Sequence, residues 1–232
     1  MILGYSVSAI SITVVLSFHY SNMCLFYLRT RVYNIYHDNK ETTMNNDNGA
    51  VETPLRIIAI DPGSSAGGFV VIDYYITTKI AIVIFEHTYS AIEAFDGYKH
   101  LKGFHTDQAI KRMAYSGFYA DLLQAFDPYM TVCENSYFRR LPQPFRILSE
   151  HNSTYYDTSL AHDQHKDFIL VSPSAVKVNM GVSSGSKDKD DMTRALKNRS
   201  NVLYAPGVNF SSFSEHTIDA TCIGLYFLDN MF

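Results

Sequence analysis

Four side chains frame the chemistry this sequence could do: Asp61, Glu134, His216 and Asp219. Asp61 follows the β-branched run 56–60 and precedes Pro62-Gly63, so it closes a strand that then turns sharply. Glu134 closes a second run, 129–133, in the same way. A carboxylate at the end of a buried strand is presented at the sheet's rim. There it can bind a metal, a phosphate-bearing substrate or a hydroxyl. His216 and Asp219, at i and i+3 of the last apolar segment, project from one face of a helix. If the first and fourth strands are neighbours, Asp61 and Glu134 stand side by side. Two carboxylates about 4 Å apart repel by roughly 4 kcal/mol at an effective dielectric near 20, so such a cluster calls for a divalent cation. Oxygen ligands favour Mg²⁺ or Mn²⁺ over zinc. A carboxylate site with two such ions can hydrolyse a phosphodiester, one ion activating water and the other stabilising the leaving oxygen. The plain alternatives are a solvated turn aspartate, a strand-end glutamate, a helix-surface carboxylate and a capping or core histidine.

The elements that must position these residues are legible in outline. Gly67-Gly68 opens an apolar run through 72, which makes 56–73 a hairpin, and Gly63, Gly67 and Gly68 permit close approach at its turn. A third strand at 78–85 completes a meander. Apolar residues at helical spacing predict a helix over 108–126, stopped by Asp127-Pro128. The fourth strand, 129–133, is followed by a helix over 145–159 whose start Pro142 and Pro144 delay. A fifth strand spans 168–171. Residues 177–185 read as loop, 187–199 as a charged helix, 201–214 as irregular, and 215–228 as a final apolar helix. This order predicts a mixed α/β sheet with helices on its faces.

The 232 residues suffice for one sizeable domain plus an extension, and 47% apolar against 18% charged content describes a globular chain with a real core. A net charge of −4 excludes a generally basic nucleic-acid coat. Cys24, Cys133 and Cys222 have neither disulfide nor metal spacing, which suits a reducing, cytoplasmic setting. Residues 1–28 contain no Asp, Glu, Lys or Arg and are long enough to cross a bilayer as a helix, but lack the positive start of a signal peptide. Arg29 and Arg31 favour a cytoplasmic C-terminal side if the segment inserts. The polar stretch within 29–54 reads as a linker, and 55–232 as the folded domain. Two readings of the first segment stay open: a membrane anchor, or a dispensable extension ahead of a start at Met44.

Five motifs in order then carry a resemblance. They are IAIDPGSSAGG at 58–68, VCENSYF at 132–138, VSPSAVK at 171–177, GSKDKDDM at 185–192 and EHTIDA at 215–220. Together the set resembles RuvC-type Holliday-junction resolvases of the ribonuclease-H-like superfamily, most nearly those of phages and mobile elements. The resemblance implies a ribonuclease-H-like fold: a mixed five-stranded sheet with helices on both faces. It implies a homodimeric, Mg²⁺-dependent endonuclease (Mn²⁺ substituting) that cuts branched DNA. Asp61, Glu134 and Asp219 would be metal ligands, and His216 with Asp219 would form the family's closing pair. The adjacent Glu215 is a competing ligand to His216.

Tyr137 and Phe138, followed by Arg139 and Arg140, suit stacking on an unpaired base beside phosphate contacts. They equally suit core aromatics and solvated arginines. Lys177, Lys187, Lys189 and Arg194 belong to a local basic face that could track a phosphate backbone, or be only a solvated helix. From Arg56 onward there are 16 Lys and Arg against 19 Asp and Glu, where the family's domains are commonly more basic. The rival functions are a less structure-selective ribonuclease-H-like nuclease, a catalytically silent DNA-binding or membrane-tethered scaffold, and an actin-like ATPase. The last is disfavoured because the chain is short and lacks a second glycine-rich phosphate loop after the later strands.

Overall fold

The strand that ends in Asp61 lies near the middle of a six-stranded mixed sheet. A computed structural model describes residues 52–136, 142–186, 188 and 190–232. Residues 1–28, the linker as far as 51, Tyr137, Phe138, Arg139, Arg140, Lys187 and Lys189 lie outside the described residues. The strands are β1 (Leu55–Asp61), β2 (Ala66–Tyr75), β3 (Ile80–Ser90), β4 (Met130–Glu134), β5 (Asp167–Val171) and β6 (Val202–Tyr204). Their order across the sheet is β5-β4-β1-β2-β3-β6. β1, β2 and β3 form an antiparallel meander, while β4 pairs parallel to β1, β5 to β4 and β6 to β3.

Helices cover both faces, which is why β1 and β2 read as continuous apolar runs rather than alternating ones. On one face, Ile57, Ala59, Val70, Ile72, Met130 and Val132 pack under α4 (Pro173–Asn179), α5 (Asp190–Lys197) and α6 (Glu215–Met231). On the other, Ile58, Ile60, Phe69 and Cys133 pack under α2 (Asp107–Phe126) and α3 (Pro142–His162). Phe69 meets Phe118 and Tyr155 edge-on at 5.0 and 5.8 Å. Each large side chain so buried contributes about 1.5–3 kcal/mol. α2 begins at Thr106, whose hydroxyl accepts from Ala109 N–H, and ends at Asp127 in the left-handed region, so the Asp127-Pro128 stop falls where expected.

Four local expectations are amended. The sheet has a sixth strand, β6, in the stretch read as irregular. Pro142 and Pro144 do not delay α3; they sit in its first turn, where a missing N–H costs no helical bond. Lys177 is not in a loop but in the last turn of α4, which Pro173 starts at its first position. A short helix, α1 (Ala91–Gly97), follows β3 and is started by a reciprocal Ser90–Glu93 capping box. Among the described residues, no helix is long and apolar enough to cross a membrane.

Candidate active site

β1 and β4 deliver two carboxylates to one rim. Ile60 is in register with Cys133, so Asp61 and Glu134 are the next residues of adjacent parallel strands. Side chains alternate along a strand. Residues 57 and 59 of β1, like 130 and 132 of β4, face the layer that contains α6, and Asp61 and Glu134 continue those two rows on the same face.

α6 brings the other two residues. Its first turn is capped by Ser214, whose hydroxyl accepts from Thr217 N–H and also pairs with Thr88 Oγ1 on β3. That pins the helix start over β2 and β3. The close approach depends on Gly68, the register partner of Asp61: a Cβ there would lie 2.0 Å from the His216 carbonyl oxygen. With no Cβ in the way, His216 Nδ1 reaches Asp61 Oδ2 at 2.7 Å. Asp219 follows one turn later.

Burial dominates the electrostatics. Asp61 is only 9% exposed, and its burial pushes the carboxyl above its ordinary value. The His216 hydrogen bond and charge pull it back. The same bond raises the His216 imidazole, against the opposing effect of its burial. Asp219 is pushed up to about 7, by burial first and then by the charges of Asp61 and Glu215; His216 and Lys177 oppose that shift. Glu215, the first residue of α6, therefore acts on the site through its charge.

The four residues expected to form the site thus come from three elements that meet at one rim. Asp61 and His216 are in direct contact, and Asp219 senses both through charge. Glu134 stands one strand over. Among the described residues, no three His, Cys, Asp or Glu side chains stand close enough together to share a metal ion. The donor set nevertheless fits a hard divalent cation. It offers three carboxylates and one imidazole, and two of the carboxyls are held above their ordinary values, a state that nearby positive charge relieves.

The expected basic face is smaller than its residue count. Arg194 is taken by Asp188 at 2.8 Å and by Asp191. Arg199 is held by two oxygens of Asp229. Lys177 donates to the Ser186 carbonyl at 3.0 Å and lies near enough to lower Asp219. Sequence reading overlooked Asn152, a buried amide of α3 that bonds the Glu134 carbonyl and Ser136 Oγ. A polar residue buried within a helix rich in polar residues gives no periodic signal that would mark it.

No family model matches the sequence, and no curated protein matches it. Among solved structures, the chain is similar to Thermus thermophilus RuvC in complex with a Holliday junction substrate. The identity is 13% over 74% of this chain and 91% of that one, with a TM-score of 0.54. It is also similar to the yeast mitochondrial Holliday junction resolvase Ydc2. There the identity is 14% over 85% of this chain and 92% of that one, with a TM-score of 0.56. The likeness is one of fold: the α/β, ribonuclease-H-like architecture of the RuvC kind expected from the motifs, with its sheet extended to six strands.

Proposed function

We propose that this chain is a divalent-metal-dependent endonuclease that cuts branched DNA, four-way junctions above all, as a homodimer. The observation that carries the reading is the convergence of Asp61, Glu134, His216 and Asp219 on one sheet rim within a RuvC-like fold. Asp61, Glu134 and Asp219 would hold Mg²⁺, which supplies Lewis acidity to the phosphodiester and lowers the pKa of the attacking water. His216, anchored by Asp61, orients the water or completes the metal's shell. Lys177, on the flank of the site, contacts the phosphate backbone. A four-way junction has approximate two-fold symmetry, so a two-fold dimer places one site on each of two strands.

The substrate preference rests on the stretch from Tyr137 to Arg140, which begins three residues after the proposed ligand Glu134. An aromatic ring can replace lost stacking at a branch point, at roughly 1–3 kcal/mol per base. In continuous duplex the same insertion must first break stacking, at a cost of a few kcal/mol. A preference of at least about tenfold for junctions follows, equivalent to about 1.4 kcal/mol. The test is Mg²⁺-dependent nicking of a fixed four-way junction beside a linear duplex of matching sequence and an RNA–DNA hybrid. Paired, symmetric nicks on the junction are expected, and loss of them in EDTA. Equal rates on all three substrates would replace the resolvase reading with a general ribonuclease-H-like nuclease.

A further inference from the structure

The middle of α3 carries a polar pair, His151 and Asn152, buried to 1% and 6% exposure. Asn152 spends its whole amide on the end of β4. Its Nδ2 donates to the Glu134 carbonyl at 3.0 Å and to Ser136 Oγ at 3.1 Å, while its Oδ1 accepts from Cys133 Sγ at 3.6 Å.

The sheet itself creates the need for that donor. Asn135 N–H turns toward β5 and bonds the Val171 carbonyl at 2.8 Å. That N–H and the Glu134 carbonyl belong to one trans peptide and point opposite ways, so the Glu134 carbonyl turns toward β1. There the residue after Asp61 is Pro62, which has no N–H to offer. This part-buried carbonyl takes its partners from elsewhere: Asn152 Nδ2 at 3.0 Å and, more weakly, Cys133 Sγ at 3.6 Å. The two rim residues are linked by this device. The Pro62 turn that presents Asp61 is what deprives Glu134 of its ladder donor, and a side chain from the opposite face of the sheet makes up the loss. His151, one residue earlier, bonds Gln108 Nε2 at 3.4 Å through Nε2. Asn152 thus braces the backbone behind Glu134.

We infer that Asn152 is a positioning residue of the proposed nuclease. It touches neither metal nor DNA, but it fixes the Glu134 backbone relative to Asp61, and Ser136 just ahead of Tyr137. The inference rests on the nuclease reading above.

The test compares the wild type with Asn152→Ala and with Asn152→Ser, which keeps one short donor. Thr158→Val serves as a control, removing a hydroxyl of the same helix that bonds Ser116 and the Thr154 carbonyl, away from β4. Three quantities are read: Mn²⁺ affinity without DNA, by electron paramagnetic resonance of the free ion; kcat and KM on a four-way junction; and the melting temperature. Asn152→Ala is expected to weaken Mn²⁺ binding at least fivefold and lower kcat at least tenfold, with KM within twofold of wild type. Asn152→Ser should fall between, at least twofold down in both, and carries the test if the alanine variant does not fold. Thr158→Val should lower the melting temperature and leave Mn²⁺ affinity and kcat unchanged. Asn152 variants with wild-type Mn²⁺ affinity and kcat, whatever their melting temperature, would overturn the inference while the nuclease reading stood. A wild-type protein that neither binds Mn²⁺ nor cuts DNA would overturn that reading, and the inference with it.

Discussion

Gly68 and His216 touch backbone to backbone: a methyl group on Gly68 would sit 2.0 Å from the His216 carbonyl oxygen and 2.9 Å from the Thr217 nitrogen. Neither atom belongs to a flexible side chain, so the start of α6 would have to move bodily. Gly68→Ala is therefore expected to displace His216 from Asp61. Overpacking of this kind costs about 1–3 kcal/mol of stability. A misplacement near 1 Å can cost about a hundredfold in rate. Urea unfolding and cleavage kinetics check both; a Gly68→Ala protein that cuts like wild type would show that the α6 contact does not set the site.

Asp61 and His216 are in direct contact, Oδ2 to Nδ1 at 2.7 Å. Asp61→Asn should lower the His216 pKa toward that of an ordinary imidazole, because the hydrogen bond and charge that raise it are lost. Proton NMR of the histidine C–H resonances follows that titration without any substrate. The same variant, and equally Glu134→Gln and Asp219→Asn, should abolish cleavage and leave DNA binding intact or tighter, since each removes negative charge near the phosphates. A variant with near wild-type turnover in Mg²⁺ would show that its residue is not a ligand.

Much of this was legible in the sequence, and for physical reasons. Asp61 and Glu134 each end a β-branched run beside a turn, and His216 and Asp219 share a helix face, so local pattern placed all four. What was missed lacks a local pattern. β6 has three residues at a sheet edge, too few to alternate. α4 is seven residues long, about two turns, with no sustained period. The weakness of the basic face arises from ion pairing of Arg194 and Arg199, which a residue count cannot register. The demand for Asn152 comes from a proline in the turn after β1, a dependence that exists only once β1 and β4 pair.

Asp219 is expected to make the metal-free protein less stable toward neutral pH. Its carboxyl, ordinarily near 3.8, is pushed up to about 7 by burial, then by Asp61 and Glu215. A group raised in the folded state contributes stability that is full below its unfolded value and is lost as pH rises through its folded value. The loss falls between about pH 4 and 7. At about 1.4 kcal/mol per unit it reaches at most about 4 kcal/mol, less after solvent screening. Asp219→Asn should therefore gain stability over wild type as pH rises across that window, and Mg²⁺ at pH 8 should narrow the gap by stabilising the wild type. Denaturant unfolding at several pH values measures the difference; a flat difference would place Asp219 in ordinary solvent.

Lys177 and Arg194 should separate in their response to salt. Arg194 is already paired with Asp188 and Asp191, whereas Lys177 holds a single backbone carbonyl beside Asp219. Lys177→Ala should reduce the slope of log DNA affinity against log salt by about one unit, and Arg194→Ala should leave it unchanged. Equal slopes for both variants and wild type would direct the DNA away from this flank.

The ends of β1 and β4 and the start of α6 are proposed to make one divalent-cation site. Anomalous diffraction from crystals soaked in Mn²⁺ tests it most directly, because the ion's position is read without reference to activity. The expected result is a peak bounded by the carboxylates of Asp61, Glu134 and Asp219, absent in crystals of Asp61→Asn. Mn²⁺ bound elsewhere with this rim empty, or a peak at the rim that survives Asp61→Asn unchanged, would contradict it.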